Sequence, residues 1–185
     1  MALPKTYKAF RHNEGNPPTT LDLVTEELPS SLKSNEVLIR IHAVSLNYRD
    51  VAMMHGNYPV KIIERCIPTS DCAAEVVGIG SEVHDFQIGD RVAPIFDLNN
   101  IDGTEEERMV LGGDVDGVLR EYAVFDRNVL FHLPKHLSWE EVSMLENMIC
   151  LKTEFLTGCL YHLRRSNSVE CVGHASIQRH CSSPR

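Results

Sequence analysis

The sequence predicts a mainly β fold with a few short helices, on three observations. Residues 36–43 have the two-residue period of a strand, because the odd positions from Val37 to Ala43 are all apolar. Further short strand candidates recur along the chain, separated by prolines and glycines. Before residue 146, helical character is confined to residues 47–55 and to a segment that begins at Ser138. This pattern is typical of a β-barrel or a β-sandwich.

The strand and helix candidates follow one another in chain order. Around the 36–43 strand, the other strand candidates are residues 6–11, 21–26, 73–78, 91–95, 117–125 and 130–133. The second helix has a clear start, because Ser138 is followed three residues later by Glu141, the spacing of a capping box. Both helices are short, so strands are expected to supply most of the core.

Composition and charge narrow the class of protein. The chain has 185 residues, of which 43% are hydrophobic and 24% charged, and this suits one globular domain. The net charge of −8 argues against nucleic acid as a partner, because binding to phosphates needs clustered Lys and Arg. No run of about 18 apolar residues occurs, and the N-terminal segment lacks the apolar core of a signal peptide. We therefore expect a cytoplasmic protein with no membrane partner.

A change in composition divides the chain near residue 145. Residues 1–145 contain 13 Lys and Arg against 23 Asp and Glu, whereas residues 146–185 contain 5 against 3. Four of the six cysteines lie in the second part, and without a signal peptide we expect reduced thiols rather than disulfides. We therefore predict a globular domain over 1–145 and a divergent tail over 146–185, helical over 148–163 and otherwise irregular.

The motifs for dinucleotides and for nucleophilic catalysis are incomplete. A Gly-Ile-Gly sequence at 78–80 follows an apolar strand, but Val83 stands where the dinucleotide fingerprint needs its third glycine. Tight turns between strands are the favoured interpretation. No Gly-x-Ser-x-Gly sequence occurs, and nothing near Cys66 or Cys72 marks an activated thiol, so both are expected to be small buried residues.

Two segments contain residues of the kinds that bind metal ions, but in both an interpretation without a metal is favoured. The tail contains Cys171, His174, His180 and Cys181, a set of four nitrogen and sulfur ligands, but no apolar framework orients them. The acidic stretch 97–117 lacks the closing glutamate of a calcium loop, so it is expected to be a solvated surface loop. We predict no metal site in the chain.

Three segments, taken together, resemble a known family. They are Ser-Leu-Asn-Tyr-Arg-Asp at 45–50, Ile-Pro-Thr-Ser-Asp-Cys-Ala-Ala-Glu-Val-Val-Gly at 67–78 and Asp-Gly-Val-Leu-Arg-Glu-Tyr at 116–122. In this order and spacing, residues 5–145 resemble the N-terminal GroES-like domain of the medium-chain dehydrogenase/reductase superfamily. The resemblance implies a GroES-like, partly open β-barrel and an oxidoreductase function.

The resemblance is closest to the zinc-lacking branch of the superfamily. Zinc alcohol dehydrogenases of the superfamily have a cysteine where this chain has Asn47 and a Gly-His-Glu triplet where it has residues 69–71. They also have four closely spaced cysteines near the acidic loop, which here has none. The chain is therefore similar to quinone oxidoreductases and NADP-dependent alcohol dehydrogenase-like proteins. This implies NADP(H) as cofactor, no zinc, and a small carbonyl or alcohol substrate.

The same resemblance names the candidate site residues. It implies catalytic roles for Asn47, Tyr58 and Asp50, and places Asn47, Tyr48 and Arg49 beside the cofactor. An amide or a phenol can donate a hydrogen bond to a carbonyl oxygen that gains negative charge as hydride arrives. Asp50 is expected to orient its neighbours, with the cap or turn carboxylate of a short helix as the alternative.

The sequence departs from the family after residue 145. Members of the family continue into a complete Rossmann domain, whereas residues 146–185 carry no phosphate-binding glycines. We expect a truncated product, produced by a frameshift or altered splicing, that binds NADP(H) poorly and is weak or inactive alone. The alternatives are a non-catalytic binding module that forms homo-oligomers and a degenerate gene product.

Overall fold

The computed structural model describes residues 3–59, 62–101 and 107–149, with side chains up to residue 144. These residues belong to one compact unit that spans Met1–Cys150. The strands are β1 (Thr6–His12), β2 (Leu21–Glu27), β3 (Glu36–Ser45), β4 (Asp71–Ile79), β5 (Arg91–Pro94), β6 (Tyr122–Asp126) and β7 (Leu130–His132). The helices of this part of the chain are α1 (Tyr48–Met54) and α2 (Trp139–Ile149). The predicted mainly β fold with few helices is confirmed.

The strands form two antiparallel sheets. β1 and β2 pair as a two-stranded sheet, and the second sheet has the order β6-β3-β4-β5-β7. Within the described ranges the sheets do not close into a barrel. The longest strands, β3 and β4, lie at the centre, and their pairing is interrupted by irregularities between Leu38 and Ile39 and between Ile41 and Ala43. Such bulges bend a strand and increase its twist.

The main core lies on one face of the five-stranded sheet. The alternation predicted for β3 is observed in part, since Val37 and Ile39 are fully buried whereas Arg40 is exposed. Leu38 is buried as well, next to an irregularity in the pairing of β3 with β4. Side chains from β4, β5 and β6 and from the 83–86 turn complete this cluster. A smaller cluster packs Val142 of α2 against β4 and β5. Burial of these aliphatic groups favours folding by about 25 cal/mol per Å² of apolar surface.

The strand predicted over 117–125 is only half right. β6 begins at Tyr122, and the preceding residues bond instead to the 67–69 segment. The Gly117 amide donates to the Ile67 carbonyl at 2.7 Å, and the Val118 amide donates to Thr69 at 3.1 Å. Gly117 permits this close approach, because a Cβ there would lie 1.9 Å from the Thr69 carbonyl oxygen.

The glycines at 78–80 serve the sheet, as predicted for tight turns. Gly78 is part of β4, and the Gly80 amide donates to the Glu36 carbonyl at 2.7 Å. A Cβ on Gly80 would lie 2.0 Å from the Lys33 carbonyl oxygen, so the glycine is needed for backbone packing.

α2 begins with the capping box that the sequence predicts. The Glu141 amide donates to Ser138 Oγ at 3.2 Å, and the Ser138 amide donates to Glu141 Oε2 at 2.8 Å. The helix continues across residue 145, where the sequence divides the chain, and the helix predicted over 148–163 lies almost wholly outside the described residues. No helix among the described residues has the length and apolar character needed to cross a membrane.

Candidate functional site

Asn47 and Asp50 come together at the start of α1 in a reciprocal cap. Asn47 Oδ1 accepts hydrogen bonds from the Arg49 amide at 2.9 Å and the Asp50 amide at 3.4 Å. In return, Asp50 Oδ2 accepts from the Asn47 amide at 2.9 Å. Free amides at a helix start need such acceptors. The structure shows Asp50 as a cap carboxylate, the alternative named above, and this cap also holds its neighbour Asn47.

The side chain of Asn47 also reaches the first residue of β4. Its Nδ2 donates to Asp71 Oδ2 at 3.1 Å, and the Ser70 hydroxyl donates to the same oxygen at 2.8 Å. Asp71 pairs with Ser45 at the end of β3, so the sheet fixes its position. We call the four residues Asn47, Asp50, Ser70 and Asp71 the α1–β4 site.

The α1–β4 site holds two carboxyl groups away from water. Asp71 is 4% exposed and Asp50 is 7% exposed. Burial raises the pKa of Asp71, although hydrogen bonds from Ser70 and Asn47 oppose the rise. Burial likewise raises the pKa of Asp50, and its Oδ1 atom has no hydrogen-bond partner among the described residues. The site is polar, and among the described residues neither carboxylate forms a salt bridge, although the charge of Arg49 opposes the rise in both pKa values.

The other candidate residues near α1 differ from one another in exposure and in contacts. The Arg49 Nη2 atom donates to the Leu111 carbonyl at 2.5 Å, and its guanidinium lies 4.7 Å from the centre of the Phe96 ring. Tyr48 is 81% exposed. Tyr58 is half-buried after the helix, and within the described ranges no hydrogen bond joins it to Asn47. The structure groups Asn47 with Asp50 and turns Arg49 inward.

A buried histidine lies on the far side of Asp50 and was not among the predicted site residues. His12 is 2% exposed at the end of β1, and its Nδ1 lies 3.0 Å from Thr19 Oγ1. Burial lowers the pKa of His12, while the nearby Asp50 opposes that change. No local motif marks His12, because its contacts come from residues distant in sequence.

The segment before Asp71 is held in a strained conformation. Thr69 has a φ of 70°, which a β-branched residue rarely adopts, and its Oγ1 is buried without a partner among the described residues. Gly112 packs closely on it, since a Cβ there would lie 2.8 Å from the Thr69 nitrogen. This packing positions Ser70 and Asp71 at the start of β4.

The two described cysteines lie in the core. Cys66 and Cys72 are both fully buried, as the sequence predicts. Burial, with the charge of Asp116, raises the pKa of Cys66 to about 12, so its thiol stays protonated near neutral pH.

Comparison with known proteins identifies the class of protein to which this chain belongs. The relatives and structural neighbours are oxidoreductases of the alcohol dehydrogenase and quinone oxidoreductase types. Residues 33–135 match the alcohol dehydrogenase GroES-like domain. The chain belongs to this family, within the medium-chain dehydrogenase/reductase superfamily.

Three comparisons define the relationship. The chain is 35% identical over 155 residues to a zinc-type alcohol dehydrogenase-like protein of Schizosaccharomyces pombe, covering 82% of this chain and 45% of that protein. It is 26% identical over 170 residues to the quinone oxidoreductase of Rattus norvegicus, covering 91% and 45%. A Sinorhizobium meliloti structure assigned as an alcohol dehydrogenase has a TM-score of 0.70 and 29% identity, covering 78% and 44%. The chain spans about half the length of these relatives.

The α1–β4 site does not fit the zinc centre that the name of the yeast relative implies. Catalytic zinc takes ligands from cysteine, histidine and carboxylate groups. Asn47 and Ser70 stand at positions where the resemblance puts zinc ligands, and both donate hydrogen bonds to Asp71. No cluster of three metal-ligating side chains occurs in the described part of the chain.

Proposed function

We propose that this chain is the substrate-side domain of a zinc-independent, NADP(H)-linked oxidoreductase that acts on small carbonyl, quinone or alcohol compounds in the cytoplasm. One observation carries the proposal. An amide and a hydroxyl group bond to a buried carboxylate at the place where a zinc centre would need a thiolate and an imidazole. Hydrogen-bond donors at such a place suit a reaction that builds negative charge on a substrate oxygen.

The proposal gives each candidate residue a role. Asn47 and Tyr58 donate hydrogen bonds to the substrate oxygen, and Asp50 holds Asn47 at the start of α1 through the reciprocal cap. Tyr48 fits a position beside the nicotinamide, because its ring is almost fully exposed next to Asn47. Arg49 is also placed beside the cofactor, with its guanidinium held by contacts to Leu111 and Phe96.

NADP(H) supplies the hydride when it is bound, and the residues of this chain bind and orient the substrate. The cofactor's pyrophosphate is normally held by a glycine-rich turn and a helix N-terminus. The Gly-Ile-Gly sequence at 78–80 is occupied by packing within the sheet. We therefore propose that the 185-residue polypeptide binds NADPH weakly and has negligible turnover by itself.

The test compares the polypeptide with a chimera. Purified chain is titrated with NADPH by fluorescence and assayed with quinone and aldehyde substrates, and no turnover above background is expected. A chimera that continues residues 1–149 into the cofactor-binding half of the rat quinone oxidoreductase should gain NADPH-dependent reduction. Asn47→Ala in the chimera should lower kcat by about a hundredfold, the loss typical of one oxyanion donor.

The matched control is Asn35→Ala, because Asn35 also donates its side-chain amide to a carboxylate, that of Asp126, at the far end of the same sheet. This variant should retain the turnover of the chimera. Circular dichroism confirms that each variant is folded. An active chimera in which Asn47→Ala has no effect contradicts the assigned role, and a folded but inactive chimera contradicts the proposed function.

A second candidate function is a non-catalytic binding or homo-oligomerisation module. Leu46, Tyr48 and Val51 are 70%, 81% and 51% exposed and lie together at the start of α1. Exposed apolar groups of this kind are often covered by another subunit. Analytical ultracentrifugation distinguishes the two functions: a cofactor-free oligomer supports the module, and a monomer that binds NADPH saturably supports the oxidoreductase. A degenerate gene product would instead show low solubility and a broad thermal transition.

A further inference from the structure

We propose that Asp71 is a positioning residue that fixes the orientation of the Asn47 side-chain amide. This inference rests on the proposed function for its catalytic meaning, since that function assigns Asn47 the hydrogen bond to the substrate. The orientation of the amide itself does not depend on that function. It is a question of which end of the amide faces the helix and which end faces β4.

The contacts of Asn47 are compatible with one orientation of its amide. The oxygen end must face α1, because Oδ1 accepts from the backbone amides of Arg49 and Asp50. The nitrogen end must face β4, because Asp71 Oδ2 accepts the hydrogen bond at 3.1 Å. An amide rotated by half a turn would place its NH2 group against two backbone donors at the helix and its oxygen against the Asp71 Oδ2 acceptor.

Asp71 can impose this orientation because it is itself fixed. It is the first residue of β4, opposite Ser45 of β3, and it is 4% exposed. The hydroxyl of Ser70 donates to the same Oδ2 atom at 2.8 Å and gives the carboxyl group a second hydrogen bond. Groups held by sheet elements and by a second layer of hydrogen bonds are positioned more precisely than groups on loops.

The orientation matters for catalysis because the two ends of the amide differ in chemistry. Only the nitrogen end carries N–H donors, and only a donor stabilises an oxygen that gains negative charge. By fixing the nitrogen, Asp71 sets the direction of the donor that the proposed function requires. Asp71 acts through Asn47, so its loss should reduce kcat more than it raises KM.

The full chain of 185 residues permits a direct test by 15N NMR of side-chain amides. In the unchanged chain, the Asn47 NH2 protons should exchange with water about tenfold more slowly than those of an exposed asparagine, because one of them is hydrogen-bonded beside a buried group. Asp71→Ala should remove this protection. Asp71→Asn should restore part of it, because the new amide oxygen can accept the same hydrogen bond.

Asp126→Asn is the matched control for this experiment. Asp126 accepts a hydrogen bond from the side-chain amide of Asn35, so the variant should change the Asn35 signals and leave those of Asn47 in place. Ser70→Ala is a milder variant that keeps Asp71 and should partly reduce the protection, which keeps the test valid if Asp71→Ala does not fold. Unchanged Asn47 exchange in both folded variants would overturn the inference.

Kinetics in the chimera separate this inference from the proposed function. If the chimera is active, Asp71→Ala should lower kcat about tenfold with little change in KM, and Asp71→Asn should recover most of the loss. An unchanged kcat in a variant that has lost the Asn47 protection overturns the positioning role. If the unchanged chimera is inactive, the proposed function fails, and the amide exchange still decides whether Asp71 orients Asn47.

Discussion

Two regions of this domain hold their carboxylates in opposite ways. Around Arg11, the guanidinium donates to Asp116 through two hydrogen bonds of 2.9 and 2.8 Å and to Glu26 at 2.5 Å. This Arg11 network joins β1, β2 and the 110–118 segment, and its side chains are about a quarter exposed. In the α1–β4 site, Asp50 and Asp71 are almost fully buried and receive hydrogen bonds from uncharged groups.

The difference shows how a paired cation changes the pKa of a partly buried carboxyl group. Burial by itself would raise the pKa of Glu26, but hydrogen bonds from Arg11 and Tyr7 and the charge of Arg11 outweigh it and lower the pKa. Burial prevails at Asp50 and Asp71, whose pKa values are raised. The Arg11 network therefore favours folding at neutral pH, whereas the α1–β4 site costs stability there, as functional sites often do.

The two regions meet where the 110–118 segment packs on residues 67–69. A substitution at this contact is expected to cause the largest loss of stability. Asp116 belongs to the Arg11 network, and the next residue, Gly117, packs on Thr69 beside the α1–β4 site. Gly117→Ala would place a Cβ 1.9 Å from the Thr69 carbonyl oxygen, so backbone must move. We expect a loss of about 3 kcal/mol or more in the free energy of unfolding, measured by urea denaturation.

Gly113→Ala is the control for this prediction. A Cβ there would lie 3.3 Å from the end of the flexible Met53 side chain, and Gly113 does not have a positive φ. The variant should lose less than about 1 kcal/mol. Equal losses at both glycines would contradict the view that the contact with Thr69 couples the two regions.

Loss of the Arg11 cation should have the next largest effect. Arg11→Met removes its hydrogen bonds to Glu26, Asp116 and the Arg65 carbonyl and leaves two carboxylates without their partner. We expect the free energy of unfolding to fall by about 2 kcal/mol at pH 7. Fully buried groups would lose more, but these side chains are partly exposed. Arg65→Met is the control, since Arg65 lies 3.7 and 3.8 Å from its acids and should cost under about 0.5 kcal/mol.

The smallest predicted effect is a pH dependence that arises in the α1–β4 site. A carboxyl whose pKa is raised by folding contributes most below its unfolded pKa, and this contribution is lost as the pH rises through the folded pKa. The unfolding free energy of Asp71→Asn, relative to the unchanged chain, should therefore increase by about 1 kcal/mol or less between pH 4 and pH 7. Because both proteins contain His12 and Glu26, the titrations of these two groups cancel when the two unfolding free energies are subtracted.

The titration of the Asp71 carboxyl can also be followed directly by 13C NMR. We expect a midpoint above the ordinary value for aspartate, which is about 3.9. A midpoint below that value would mean that hydrogen bonds from Ser70 and Asn47 outweigh burial, and the contrast with the Arg11 network would fail.

Local patterns were sufficient to predict most of the fold. The partial alternation in β3, the capping box at Ser138 and the short helix predicted over 47–55 all depend on neighbouring residues, and all three are observed. The first half of the strand predicted over 117–125 is wrong, because it bonds to the 67–69 segment, about 50 residues earlier in the chain. No local pattern records such a partner.

The candidate site could be predicted only in part for the same reason. Asn47 and Asp50 were found through the family resemblance, and their joint cap is local. Asp71 could have been noticed as a carboxylate that opens a mostly apolar strand, but its hydrogen bond with Asn47 spans 24 residues. The inward turn of Arg49 toward Leu111 spans 62 residues and had no sequence signal.

The sequence by itself determined the mainly β class, the two helix starts and the family, because these depend on short-range periodicity, capping chemistry and the order of three motifs. Only the tertiary structure decided which acids are paired with a cation and which are buried without one. That outcome depends on how β1, β4, α1 and the 110–118 segment pack together. The pKa of a carboxyl responds to burial and to charges a few ångströms away, and both are properties of the folded arrangement.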